Sequence, residues 1–128
     1  MRMEKKEFTV KNRVKSFHYA FNGLWMLLKT QHSAWCHGAA TIAVIVLGLC
    51  FGLSQSEWCW LVLAMMSVWT AEAFNTAIEF LSDVASPEYN PMIKHAKDIA
   101  AAAVLTTVIA EVAIVCLTIG PYILAHFK

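Results

Sequence analysis

Glu72-Ala-Phe-Asn75-Thr-Ala-Ile-Glu79-Phe-Leu-Ser-Asp83 ends an apolar run that begins at Trp58. A helix crosses a bilayer in roughly 20 mostly apolar residues. The stretch from Trp58 to Leu81 meets that requirement, and Glu72 and Glu79 are its formal charges. An ionisable side chain in such a segment is strongly disfavoured, so it marks a candidate functional site. On an α-helix, seven residues complete nearly two turns and eleven nearly three. Glu72, Glu79 and Asp83 therefore share one face, with Asn75 about one step to the side.

The rest of the chain supports a membrane reading. Its 128 residues are 59% hydrophobic and 15% charged, against about 45–50% and about 25% in soluble domains. A single domain over residues 1–128 is expected at this length. The net charge of +1 points to no polyanionic partner such as a nucleic acid. Cys36, Cys50, Cys59 and Cys116 all lie in apolar runs without a Cys-x-x-Cys pair. They are expected to pack as small hydrophobes rather than form disulfides or a zinc site. The N-terminus lacks the pattern of a signal peptide, because the first long apolar run starts only near residue 34.

Three spans are expected, over 34–53, 58–81 and 99–119, the last ended or bent by Gly120-Pro121. The connection at Ser54–Glu57 has no Lys or Arg, whereas the connection from Ser82 to Asp98 holds Lys94 and Lys97. Arg2, Lys5, Lys6, Lys11, Arg13, Lys15 and Lys29 precede the first span. The positive-inside rule then puts the N-terminus and the second connection in the cytoplasm. Trp58, Trp60, Tyr122 and His126 fit an outer interfacial belt. Residues 11–29 form a different helix, in which Phe17, Phe21, Leu24 and Leu28 recur on one face opposite Lys11, Lys15, His18, Asn22 and Lys29. That pattern suits a helix lying in the headgroup plane, or one packed on a cytoplasmic partner. Ser86-Pro87-Glu-Tyr89-Asn-Pro91 reads as a turn-rich loop.

Depth separates the carboxylates. Glu72 lies roughly two-thirds of the way along its span, about 21 Å from Trp58. A carboxylate removed from bulk water is the stronger base, so Glu72 is the candidate general base. Glu79 and Asp83, closer to water, suit a hard cation such as Mg²⁺, which takes one or two carboxylates plus phosphates and waters. Asn75 can orient a hydroxyl or a phosphate. Asp98 is placed as a helix N-cap or first-turn carboxylate. Lys94 and Lys97 beside the acidic stripe suit a nucleoside triphosphate. Ala100 to Ala103 let helices approach closely. A polar clamp between helices is the plainer explanation of one buried Glu, but it accounts poorly for the full set. Glu111 is expected in packing or subunit contacts, and His32 and His37 at the interface.

At these residues the chain resembles the prokaryotic diacylglycerol kinase family, which includes undecaprenol kinases. The resemblance runs through Glu72-x-x-Asn75-Thr-Ala-Ile-Glu79-x-x-x-Asp83, Ser86-Pro-Glu-Tyr89 and Ala96-Lys97-Asp98-x-Ala-x-Ala-Ala-Val104. It extends to Lys15-Ser-Phe-x-Tyr-Ala-Phe-x-Gly23 near the start. It implies an all-α membrane protein with three transmembrane helices and an N-terminal amphipathic surface helix, assembled as a homotrimeric bundle in the bacterial inner membrane. It implies transfer of the γ-phosphate of ATP, with Mg²⁺, to a lipid alcohol at the inner leaflet. Glu72 would be the base, Asn75 a positioning group and Glu79 a metal ligand. Lys97, Asp98, Lys94, Glu79 and Lys15 would meet the nucleotide, and Glu72, Ala20 and Trp25 the lipid. Two departures stand out: Gln31 occupies the place of a second metal-binding Glu, and Asn22 that of a frequent Lys.

The leading expectation is conversion of diacylglycerol to phosphatidic acid, with undecaprenol phosphorylation as the alternative. The loop 86–91 looks more like the Gram-positive-type branch, in which undecaprenol is common. A weakly active or structural trimer is a third reading, motivated by Gln31. A proton or ion channel would use Glu72 but gives no reason for Lys97-Asp98. The chain has no P-loop, so nucleotide contacts must come from carboxylate-held metal and lysines.

Overall fold

The computed structural model describes residues 9–127. Arg2, Lys5, Lys6 and Lys128 lie outside the described residues. The described residues form five helices: α1 (Val10–Thr30), α2 (His32–Phe51), α3 (Gln55–Ala85), α4 (Pro91–Thr118) and the short α5 (Gly120–His126). Three of them, α2, α3 and α4, are long and apolar enough to cross a membrane.

α1 matches the helix expected over 11–29. Leu27 alone on it is buried, while Phe17, Phe21, Leu24 and Leu28 stand exposed. Its apolar face is thus left uncovered by the rest of the described chain. Gln31, with an extended backbone (φ −110°, ψ 117°), closes α1 and opens α2. The break is one residue wide, and the Trp35 indole N–H, bonded at 2.9 Å to Leu28 O, ties the two helices across it.

α2 keeps its expected length but starts and ends two residues earlier than 34–53, whereas α3 and α4 run longer than hydropathy suggested, and capping chemistry explains where they start. α3 starts three residues before Trp58 because Ser54 and Glu57 form a capping box. It continues past Leu81 to Ala85, making it about 46 Å long at about 1.5 Å per residue. That exceeds an apolar core of about 30 Å. α4 starts at Pro91, not near Ile99. Asn90 accepts from Met92 N at 2.9 Å as the N-cap, and Pro91 takes the first helical position, where a missing N–H is harmless. Asp98 is therefore not a cap; it lies in the third turn of α4. The loop shrinks to residues 86–90.

α3 and α4 pack antiparallel along most of their length and make the most extensive contact in the fold. Ala100 is buried there, as its small size allows. At the end away from their shared loop, Val44, Leu53, Leu61, Met65 and Ile119 form the apolar core, packed by Phe51, Trp58, Ile114, Val115 and Tyr122. Trp58 and Tyr122 are thus half-buried packing groups rather than a free interfacial belt. Tyr122 donates to Glu57 at 3.1 Å, which locks α5 onto the start of α3. Trp60 remains exposed. All four cysteines are unpaired, and they face outward rather than into the packing.

Two glycines shape this end. Gly52 adopts φ +65°, and Gly52 and Leu53 bond back to Leu49 O and Gly48 O, a Schellman stop for α2. At Gly48 an added Cβ would come within 2.7 Å of the Trp58 ring. Gly48→Ala is expected to lower stability by about 1–3 kcal/mol through overpacking, and Gly52→Ala by about 1–2 kcal/mol through left-handed strain. Thermal unfolding in detergent measures both, and unchanged midpoints would contradict this packing.

Candidate active site

Glu72 is 2% exposed, halfway along α3. Both its oxygens face α2. Ser33 Oγ donates to Oε1, and His37 Nε2 lies 3.7 Å from Oε2. Ser33 and His37 are four residues apart, so one face of α2 presents both. His37 thus faces Glu72 across the α2–α3 contact, a neighbour the sequence did not predict. Neither partner was assigned to Glu72 from sequence. The spacing of four on one helix face was the available signal, but only the register between α2 and α3 says what it meets.

Glu79 lies two turns further toward the loop, about 10 Å along the axis. Gln31 Nε2 donates to its Oε2 at 3.2 Å, and Asn75 Nδ2 to its Oε1 at 3.2 Å. The structure thus joins Gln31, Asn75 and Glu79, three of the residues singled out in sequence. Asn75 Oδ1 and Thr76 Oγ1 are buried without a hydrogen-bond partner among the described residues. No group of three His, Cys, Asp or Glu side chains gathers among the described residues. The oxygen-rich cluster still fits Mg²⁺, which keeps several waters and shares phosphate oxygens with a substrate. Glu79, the orphaned Asn75 Oδ1 and Gln31 Oε1, after a half-turn of its carboxamide, would hold it.

At the loop end, Lys97 Nζ bonds Asp83 Oδ1 at 3.0 Å and Lys94 Nζ bonds Asp98 Oδ2 at 2.6 Å. Asp83 is exposed and tied to Lys97, so it does not join Glu79. Exposed pairs of this kind contribute little to stability, about 0–1 kcal/mol. Lys15 is exposed on α1 and has no ion-pair partner among the described residues.

Two grooves flank α1. One, of about 520 Å³, is walled by Ala20, Gly23, Leu24, Leu27, Thr76 and Phe80, between α1 and α3. The other, of about 560 Å³, lies between α1 and α2 and includes Trp25, Leu28, Trp35 and Ile42. Ala20 and Trp25, grouped in sequence as lipid contacts, line different grooves. Lys29 stacks over the Trp25 ring at 5.3 Å. Thr76 brings its partnerless hydroxyl to the first groove, one helical turn from Glu72.

A buried carboxylate one helical turn from an apolar groove, on a helix long and apolar enough to cross a membrane, fits a membrane-embedded lipid kinase. Residues 18–119 match the model of the prokaryotic diacylglycerol kinase family. An undecaprenol kinase of Bacillus subtilis (strain 168) is 38% identical over 90 residues, covering 70% of this chain and 73% of that protein. A diacylglycerol kinase of Synechocystis sp. is 34% identical over 112 residues, 86% of this chain and 64% of that protein. One from Helicobacter pylori is 30% identical over 106 residues, 77% of this chain and 83% of that protein. The chain belongs to the prokaryotic diacylglycerol kinase family and is a phosphotransferase acting on an alcohol group.

Gln31→Glu would set a second carboxylate against Glu79 in place of a donated hydrogen bond. Without divalent cation, stability should fall by about 1–3 kcal/mol, and Mg²⁺ should restore it more strongly than in the unsubstituted protein. Thermal unfolding with and without Mg²⁺ measures this. Equal Mg²⁺ responses in the two proteins would remove Gln31 from the cation site.

Proposed function

We propose that the chain phosphorylates a polyprenol, with undecaprenol as substrate, at the cytoplasmic face of the bacterial inner membrane, using MgATP. The carrying observation is the division of α3 between a buried Glu72, one helical turn from the Thr76 that lines an apolar groove, and a Glu79 cluster two turns toward the loop. In this reading the lipid alcohol reaches Glu72 sideways from the bilayer, along the groove that Ala20 and Thr76 line, while nucleotide arrives from the cytoplasm at the loop end.

The reaction needs little covalent help from the protein, since phosphoryl transfer depends mostly on positioning and charge stabilisation. Glu72 accepts the proton of the lipid hydroxyl. The freed oxygen bonds to the γ-phosphorus as the bond to the β-γ bridging oxygen breaks, and ADP leaves. Ser33 orients the Glu72 carboxylate by donating to its other oxygen. Asn75 and Gln31 fix the rotamer of Glu79. Mg²⁺, when bound, neutralises charge on the triphosphate. Lys97 and Lys94, released from their weak exposed pairs with Asp83 and Asp98, turn to phosphate oxygens, and Lys15 approaches from α1. Three copies of the chain would assemble as a trimer, closing the grooves that a single chain leaves open.

The polyprenol choice rests on similarity. The undecaprenol kinase relative is 38% identical, the diacylglycerol kinases 34% and 30%. This favours undecaprenol over the diacylglycerol reaction taken first from the sequence. Diacylglycerol remains the second reading, because it presents the same primary hydroxyl to the same groove.

Phosphate incorporation from ATP into undecaprenol and into diacylglycerol, measured in mixed micelles, tests the proposal. Undecaprenol should be the faster substrate, and Glu72→Gln should lose a factor of about 10²–10⁴. No incorporation into either lipid would end the kinase reading for this chain; faster diacylglycerol turnover would reverse the substrate choice. Lys97→Ala should raise KM for ATP while changing stability by less than about 1 kcal/mol, and an unchanged KM would take Lys97 out of the nucleotide site.

A further inference from the structure

The site contains an imidazole that the reaction scheme above does not use. His37, on α2, stands 3.7 Å from Glu72, with its side chain 16% exposed and that of Glu72 3%. His37 also lies within electrostatic range of Glu111 on α4. Glu111 is itself buried, at 8% exposure. The helix register explains why these groups meet. Moving back equal numbers of residues from the Asp83–Lys97 pair, eleven to reach Glu72 on α3, arrives at Val108 on α4. Glu111 is three residues beyond, about 4.5 Å along the axis. Two carboxylates and one imidazole, from three spans, thus share one layer of the bundle. On α3 the Trp69 ring covers Gly38, next to His37, and its indole N–H is held by Thr41 at 3.1 Å.

A carboxylate in apolar surroundings either finds a cation or takes up a proton and becomes neutral. A neutral carboxylic acid cannot accept the proton of a lipid hydroxyl. Ser33 supplies a hydrogen bond to Glu72 but no charge. Of the groups facing Glu72 from α2, only His37 can be positive. A lone imidazolium would be equally disfavoured here, but Glu72 lies 3.7 Å away and the register sets Glu111 of α4 at a neighbouring level.

We propose that His37 is a positioning residue for Glu72, an imidazolium 3.7 Å from Glu72 and at a level neighbouring Glu111 that keeps Glu72 in its proton-accepting carboxylate form. The proposal rests on the reading of Glu72 as the base. Glu111, which the reaction itself does not touch, serves by favouring the charged imidazole. The arrangement also explains why a third acidic residue is kept deep in a membrane helix.

Infrared difference spectroscopy tests this on the purified full-length protein in detergent at neutral pH. The C=O stretch of a protonated carboxylic acid should appear in His37→Gln relative to the unsubstituted protein. It should disappear again in His37→Gln combined with Glu72→Gln. In the lipid phosphorylation assay, His37→Gln should lower kcat roughly tenfold or more with KM for ATP unchanged. Purely structural damage would instead lower thermal stability and disturb KM as well. Glu111→Gln should show the same two changes more weakly, and it carries the test if His37→Gln does not fold. No new carboxylic-acid signal in either variant, or one that persists without Glu72, overturns the proposal. The infrared result decides the role of His37 whether or not a lipid alcohol is phosphorylated, so its failure and that of the kinase reading are separable.

Discussion

A carboxylate deep in an apolar helix must be given its partners by the protein, because no water is there to supply them. Glu72 is that carboxylate, and much of the bundle can be understood from its needs. Ser33 and His37 reach it from α2, which fixes how α2 lies against α3. α4 brings Glu111 to the neighbouring level. A one-residue slip of α2 would rotate Ser33 and His37 by about 100° and leave Glu72 buried and alone. Hydrophobic packing among membrane helices specifies register only weakly, since lipid solvates apolar side chains as well as protein does. The polar layer therefore supplies much of the specificity.

The apolar core and the polar cluster lie at opposite ends of the spans. The apolar core of Val44, Leu53, Leu61, Met65 and Ile119 lies far from the loop, sealed by the Glu57–Tyr122 bond and the Gly48–Trp58 contact. Toward the loop the packing thins and polar groups take over: Thr76, Ser82, Asn75, Glu79 and then the exposed ion pairs. Buried oxygens left without partners at Asn75 and Thr76 are tolerated there because the core elsewhere holds the helices together. Sites that must bind and release ligands are drawn from such less tightly packed regions.

The three candidate spans, the N-terminal helix and the shared helix face of Glu72 and Glu79 were all legible in the sequence. Each depends on hydropathy or on the period of one helix, which a single chain displays directly. The helix ends were less legible. Hydropathy measures the thickness of an apolar slab, whereas a helix stops where its hydrogen-bond ladder is capped. Ser54–Glu57 and Asn90-Pro91 carried that capping information, and Pro91 in particular read as loop although it opens α4. The partners Ser33 and His37 were harder still. Their spacing marks a face but not its neighbour, and that depends on contacts between residues some forty positions apart. The same reason separates Ala20 from Trp25, which one helix carries but two grooves divide.

Gln31 joins three tasks in one residue. Its backbone ends the surface helix and starts the first span, and its side chain holds Glu79. α1 is about 31 Å long, so it is a lever whose fulcrum is a site residue. A change in the angle between this lever and the first span would therefore move the donor that holds Glu79, so the hinge and the carboxylate cluster share one degree of freedom.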